Sequence, residues 1–164
     1  MKPAKFQYHK PQTIYDAIQL LSHLQNARIL AGGQTLVPIL NFRLSAFDNI
    51  VDLGCIPELL AINENVENLD IGSMVTQRML EKSSLIKEKF PLLSNAIKYV
   101  GHRQTRNRGT IGGSLCHLDP SAEIPLVALT LQASVEIVGP QGSREALIDD
   151  FMEDMLTPEI AEDE

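Results

Sequence analysis

Cysteine is nearly missing: the 164 residues contain only Cys55 and Cys116, far apart and without C-x-x-C spacing. That excludes a disulfide scaffold and leaves too few thiolates for an iron–sulfur cluster or a cysteine zinc site. Both read as free thiols. No uncharged apolar run is long enough to span a bilayer, and MKPAKFQYHKP at the start has no signal-peptide core, so a cytoplasmic protein is expected. Positive charge is in deficit as well. The 14 Lys and Arg against 21 Asp and Glu leave a net charge of -7, which argues against a nucleic-acid surface. Neither a G-x-G-x-x-G run nor a Gly-Lys-Ser/Thr loop is present, so a Rossmann or Walker A reading has no support. Internal repeats and low-complexity tracts are also absent.

With 44% hydrophobic residues, the chain can bury a core as one domain or two small subdomains. Residues 6–8 read as a short strand. Thr13 reads as the N-cap of an amphipathic helix that carries Ile14, Ala17, Ile18 and Leu21 at helical spacing. Residues 28–31 read as a buried strand, 36–40 as a brief helix with Pro38 in its first turn, and 49–53 as a strand covered on both faces. Residues 1–54 thus form one α/β unit. Residues 55–150 read as a second, with short strands at 61–62 and 69–72 around an acidic turn at 63–68. Helices opened by Thr76 and Pro91 follow, ending at Gly101; then come a buried helix at 122–131 and two strands about the turn Gly139-Pro140-Gln141-Gly142. Residues 151–164 read as an acidic tail.

Two stretches suit a ligand better than a core. ILAGGQTL at 29–36 ends a strand in Gly32-Gly33 and continues into Gln34 and Thr35. GHRQTRNRGTIGGSLCHLDPSAEIP at 101–125 combines three arginines, Gly112-Gly113, the hydroxyls of Thr110 and Ser114, and the carboxylates of Asp119 and Glu123. Glycines let the main chain approach a ligand closely, and successive free N–H groups form a concave site for an anion such as a phosphate. Nearby hydroxyls and carboxylates suit a ligand with sugar hydroxyls. Two such turns could grip one diphosphate from two sides; each is equally readable as a tight turn at a strand end.

The runs AGGQTLVPILNFRL (31–44) and RNRGTIGGSLCHLDPSAEIP (106–125), in this order, resemble the flavin-binding domain of the molybdopterin dehydrogenase family. That family includes the FAD-carrying medium subunits of carbon monoxide dehydrogenase and the flavin part of xanthine dehydrogenase. KFQYHKPQTIYDAIQLL (5–21) and NIVDL (49–53) extend the likeness across nearly the whole chain. It implies an α+β fold of the p-cresol methylhydroxylase type, with two α/β subdomains clasping FAD. It also implies a further C-terminal domain over the flavin ring that residues 1–164 do not include, so a fragment or a shortened member is expected.

By the same resemblance, Gly32, Gly33, Gly112 and Gly113 donate amides to the FAD diphosphate, and Gln34, Thr35, Thr110 and Ser114 add side-chain contacts. Ile29, Leu30, Ala31, Leu36 and Ile111 line the pocket. Glu123 is placed on ribose hydroxyls with Asp119 as a second candidate, although both also suit the start of a helix. Arg106 and Arg108 could neutralise phosphate, dock a partner or pair with local carboxylates. No catalytic acid or base is assigned, since flavin carries its own redox chemistry. The implied partners are a large subunit with the molybdopterin cofactor and a small subunit with iron–sulfur clusters, with NAD or another acceptor taking the electrons. Two alternatives stay open: another FAD-dependent oxidoreductase of the same superfamily, and a non-catalytic anion-binding module.

Overall fold

Short apolar strands alternating with helices close most readily into parallel strands, because each crossover returns the chain to the same end of the sheet. The computed structural model describes residues 1–65 and 68–164. In it β1 (Gln7–His9), β3 (Asn49–Asp52) and β2 (Ala27–Leu30) form a parallel sheet in that spatial order. The helix α1 (Ile14–His23) opens at the expected cap: the Asp16 N–H donates to the Thr13 hydroxyl at 3.1 Å, and Ala17, Ile18 and Leu21 are buried. The shorter α2 (Leu36–Asn41) links β2 to β3. Central position explains the burial of Ile50 and Val51 on opposite faces of β3. All three strands end on one side, and the first glycine run leaves the sheet there.

Past β3 the chain turns to short antiparallel strands, β4 (Ile62–Glu64) and β5 (Leu69–Ile71). The acidic turn expected at 63–68 includes residues 66 and 67, which lie outside the described residues. Three helices follow, α3 (Gln77–Lys82), α4 (Ser84–Lys89) and α5 (Pro91–Ala96). Each has its own starting device: the Thr76 hydroxyl accepts the Met79 N–H, the Ser83 hydroxyl accepts the Ile86 N–H, and Pro91 stands in the first turn. They bury Val75, Leu80, Ile86, Leu93 and Ile97 against Val127 of the later helix α8 (Glu123–Thr130). A second apolar cluster, Ile137, Ile148 and Phe151, lies under the hairpin β6 (Ser134–Gly139) and β7 (Gly142–Leu147).

Two features go beyond the sequence reading. The run 101–125 contains the helices α6 (Arg103–Arg106) and α7 (Ile111–His117) before α8 begins. The acidic segment is folded onto the rest of the chain. Phe151, 2% exposed, belongs to α9 (Ile148–Phe151) and shares a core with Ile148. Beyond it β8 (Met152–Asp154) pairs with β9 (Thr157–Pro158), and the Leu156 N–H donates to the Leu118 carbonyl at 3.2 Å. Arg144 of β7 binds both Glu159 and Glu164, so a single cation folds this acidic stretch back onto the hairpin.

Candidate functional site

The first glycine run forms a turn with free donors. Gly33 sits at φ +72°, a left-handed conformation that side chains resist, and the Val37 N–H donates to its carbonyl at 3.1 Å. Among the described residues the amides of Gly32, Gly33, Gln34 and Thr35 have no hydrogen-bond partner. The Thr35 hydroxyl makes no cap bond and is exposed. Four neighbouring donors without acceptors are what an anion needs.

The second run is built otherwise. Its donors are already engaged inside the chain: the Ile111 N–H donates to the Val75 carbonyl at 3.0 Å, and the Gly112 N–H to the Ser73 carbonyl at 2.9 Å. The Gly113 N–H donates to the Thr110 hydroxyl at 3.1 Å, and the Ser114 N–H to the Thr110 carbonyl at 3.2 Å. Thr110 is 3% exposed, bridges Thr76 in antiparallel fashion, and serves as the cap of α7. Gly112 and Gly113 thus do not present free amides as expected. Their part is close packing, since a Cβ on Gly112 would stand 2.5 Å from the Ser73 Cβ.

The two runs meet in direct backbone contact. A Cβ on Gly32 would lie 2.2 Å from the Arg108 carbonyl oxygen and 2.8 Å from the Gly109 Cα, while one on Gly113 would lie 3.4 Å from the Ala31 Cβ. Beside this contact opens a niche of about 290 Å³ lined by Gly32, Gly33, Gln34, Val37, Pro38 and Arg108. A larger groove of about 630 Å³ runs along α1 past His9, Asp16 and His23. It holds none of the unpartnered amides, and its polar side chains belong to an open helix surface, so the smaller niche is the better site.

Below the niche, Arg106 and its neighbour Arg108 diverge. Arg106 donates to both oxygens of Glu81 at 3.2 Å and to the carbonyls of Val100 at 2.9 Å and Gly101 at 3.1 Å. Arg78 donates to the same carboxylate at 2.6 Å. Hydrogen bonds from Arg78 and then Arg106 hold the Glu81 carboxyl below its usual range. With a depressed folded value, this stabilisation is complete above the unfolded pKa of about 4.3 and is lost as pH falls through the lower folded one. Acid unfolding followed by circular dichroism should therefore show Glu81→Gln losing less stability than the parent below about pH 4.3. Equal acid sensitivity of the two chains would mean that the ion pair contributes nothing.

Sequence reading missed a neighbouring pair. Asp52, at the carboxyl end of β3, accepts the Gly54 N–H at 2.8 Å through Oδ1 and the Tyr8 hydroxyl through Oδ2. That bond to Asp52, helped by burial and by the Asp52 charge, pushes the Tyr8 hydroxyl up to about 12, while the Arg108 charge pulls it down. The register of β1 on β3, Gln7 opposite Asn49, brings Tyr8 and Asp52 together, and nothing local in either segment signals it.

The remaining residues fall into place as follows. Ala31 faces Gly113; Ile29, Leu30 and Leu36 are half-buried around the first run; Ile111 packs on the helical core. Ser114 is half-buried, and its hydroxyl has no partner among the described residues. Asp119 is closed into a turn, with Oδ1 accepting the Ser121 N–H at 2.8 Å and the Ser121 hydroxyl at 2.7 Å, and these bonds hold its carboxyl below the usual range. Glu123 begins α8 half-buried, without a side-chain partner among the described residues.

Residues 4–164 match the family described as the FAD binding domain in molybdopterin dehydrogenase. The chain belongs to this family. It is 40% identical over 166 residues to the 6-hydroxypseudooxynicotine dehydrogenase complex subunit alpha of Paenarthrobacter nicotinovorans, covering 98% of this chain and 56% of that protein. It is 36% identical over 152 residues to the carbon monoxide dehydrogenase medium chain of Hydrogenophaga pseudoflava, covering 92% of this chain and 53% of that protein. The solved carbon monoxide dehydrogenase of Hydrogenophaga pseudoflava superposes with a TM-score of 0.97 at 34% identity, over 99% of this chain and 57% of that one. The chain spans about half the length of the curated relatives it matches. The α+β fold of this FAD domain is thus the fold observed. The residues present also fit an anionic part of the cofactor: Gly32, Gly33 and Gln34, whose amides are free among the described residues, line one niche with Arg108.

Proposed function

We propose that this chain holds FAD as the electron-transfer domain of a molybdenum hydroxylase of the carbon monoxide or xanthine dehydrogenase kind. The observation that carries the reading is the niche between the unpartnered amides of residues 32–35 and Arg108, in a chain of this family. When bound, FAD exchanges single electrons with one partner and an electron pair with another. Gly32, Gly33, Gln34 and Thr35 orient the diphosphate. Thr110, Ile111, Gly112, Gly113 and Ser114 form the second wall through packing and the Ser114 hydroxyl. Ile29, Leu30, Ala31 and Leu36 exclude water. Glu123, with its carboxylate unpartnered, accepts from the ribose diol, and Asp119 offers its remaining oxygen.

The two cysteines of these residues cannot ligate an iron–sulfur cluster, so in this reading electrons come from clusters held elsewhere, on an iron–sulfur small subunit, with the molybdopterin cofactor on a large subunit. NAD or another external acceptor then receives them. A cytoplasmic setting belongs to the same proposal and agrees with two free thiols; among the described residues no helix is long and apolar enough to cross a membrane. Titration of the chain with FAD, followed by quenching of flavin fluorescence, is expected to show saturable binding much tighter than that of riboflavin. Absence of binding would remove the assignment. Co-purification of iron and molybdenum proteins with the tagged chain tests the partners separately.

A further inference from the structure

The start of α3 carries a buried amide whose oxygen the fold leaves unused. Gln77 is 5% exposed, yet its Oε1 accepts no hydrogen bond among the described residues. Other buried polar side chains are engaged: Asn49 donates to the Gln25 carbonyl and meets His9, and the Thr110 hydroxyl accepts the Gly113 N–H. A buried acceptor without a donor lowers stability, and an apolar side chain of the same length would avoid the loss. What the Gln77 side chain does touch is Gly109. A Cβ on Gly109 would lie 2.8 Å from Gln77 Oε1, 3.0 Å from Cδ and 3.1 Å from Nε2, the three nearest atoms beyond its own chain neighbours. The Gly109 backbone is not in the left-handed region, so its conformation does not call for glycine; the Gln77 carboxamide does.

We infer that Gln77 is a positioning residue for the cofactor site: its carboxamide sets the place of Gly109, and Gly109 sets how the two glycine runs meet. This rests on the FAD reading above. Gln77 holds Gly109 twice, since its N–H also donates to the Gly109 carbonyl at 2.8 Å. Beside that bond, the second run hangs on residues 73–77 through Ile111 on Val75, Gly112 on Ser73 and the Thr76–Thr110 bridge. Toward the first run, a Cβ on Gly32 would stand 2.8 Å from the Gly109 Cα. A displacement of Gly109 is therefore passed to the run whose amides are free. A carboxamide is planar and thinner across its face than a chain of methylene groups, and a residue without Cβ can lie against it. In a close-packed contact, a rounder side chain of equal length pushes Gly109 away from α3, and a short one lets it settle toward α3. The unpaired oxygen thus accompanies a flat shape that no apolar side chain of this length provides.

The test compares the parent chain with Gln77→Met, Gln77→Ala, Gly109→Ala and the double variant Gln77→Ala/Gly109→Ala. Urea unfolding without cofactor reads stability, and quenching of flavin fluorescence reads FAD affinity. Gln77→Met should match or exceed the parental stability, because the unpaired oxygen is gone, while FAD binds about tenfold more weakly, the loss of one amide bond to a charged group. Gln77→Ala should weaken FAD by a similar factor. Gly109→Ala should lose both stability and affinity, and the double variant should regain part of each, since the new methyl enters the space that the carboxamide leaves. Losses of affinity that simply add in the double variant overturn the inference; if stability alone recovers, the pair serves packing only. Parental affinity in either folded Gln77 variant also overturns it and leaves the FAD reading in place. Parallel losses of stability and affinity in Gln77→Met do the same, by making Gln77 an ordinary core residue. A parent chain that does not bind FAD removes the FAD reading and this role together.

Discussion

Gly32→Ala is expected to abolish FAD binding and to lower the stability of the chain. The added carbon would stand 2.2 Å from the Arg108 carbonyl oxygen and 2.8 Å from the Gly109 Cα. Both obstacles are backbone, so no rotamer relieves them, and the two runs must move apart. Forcing one extra carbon into such a contact costs about 1–3 kcal/mol. The same displacement shifts the free amides of residues 32–35, and losing two charge-assisted hydrogen bonds at about 1.5–3 kcal/mol each removes more than about a hundredfold in affinity. Urea unfolding and FAD titration of the purified variant would measure both. Gly33→Ala is the useful contrast. Its nearest obstacle is the flexible Val37 side chain at 3.0 Å, and the cost comes from the left-handed backbone, about 1–2 kcal/mol. A Gly32→Ala chain with parental stability and affinity would show that the runs do not depend on this contact.

Gly112→Ala sets two effects of opposite sign against each other. Inside a helix, replacing glycine by alanine usually gains about 0.8–1.0 kcal/mol. Here the new carbon would meet the Ser73 Cβ at 2.5 Å and the Ser73 carbonyl oxygen at 2.8 Å. Overpacking costs about 1–3 kcal/mol, and relieving it lengthens the Gly112 N–H bond to Ser73, worth about 1 kcal/mol more. The variant should therefore be destabilised by about 1–3 kcal/mol even without cofactor. If Gly112 served only as an amide donor to FAD, alanine would leave stability unchanged or raised and affect binding alone. Chemical denaturation of the apo chain separates these outcomes, and a more stable Gly112→Ala chain would remove the packing account.

The reading of local structure succeeded wherever a segment carries its own instructions. Thr13 and Thr76 are hydroxyl caps followed by apolar residues at helical spacing, and each caps a helix. Gly139 to Gly142 closes a hairpin between two short alternating runs. The helix α7 was not legible, because IGGSLCH has two glycines in its first turn and its stability comes from Thr110, Ser73 and Val75, contributed from outside. Nor was the fold of the acidic segment legible. Its six carboxylates read as a solvated surface, and what brings it in lies elsewhere in the chain: the core that Phe151, Met152 and Ile160 join, the Leu118 carbonyl and Arg144.

The candidate site divides along the same line. The paired glycine runs mark where main chain can come close to something else, a property of residue type that survives without any coordinates. What each run approaches is a matter of packing. Gly32 meets the carbonyl of Arg108, Gly112 meets Ser73, and only the first run keeps its amides free.

By itself, the order of residues determined the strands and helices of a mixed α and β fold, the hydroxyl caps Thr13 and Thr76, and two glycine pairs where main chain can approach something closely, because propensity, capping and backbone freedom act within a few neighbours. Only the tertiary structure decided which amides remain free, that Arg106 is a strut while Arg108 is among the residues lining the niche, and that Tyr8 meets Asp52. Those outcomes depend on donors and charges far apart in sequence competing for the same partners, and that competition is resolved only when the chain has closed on itself.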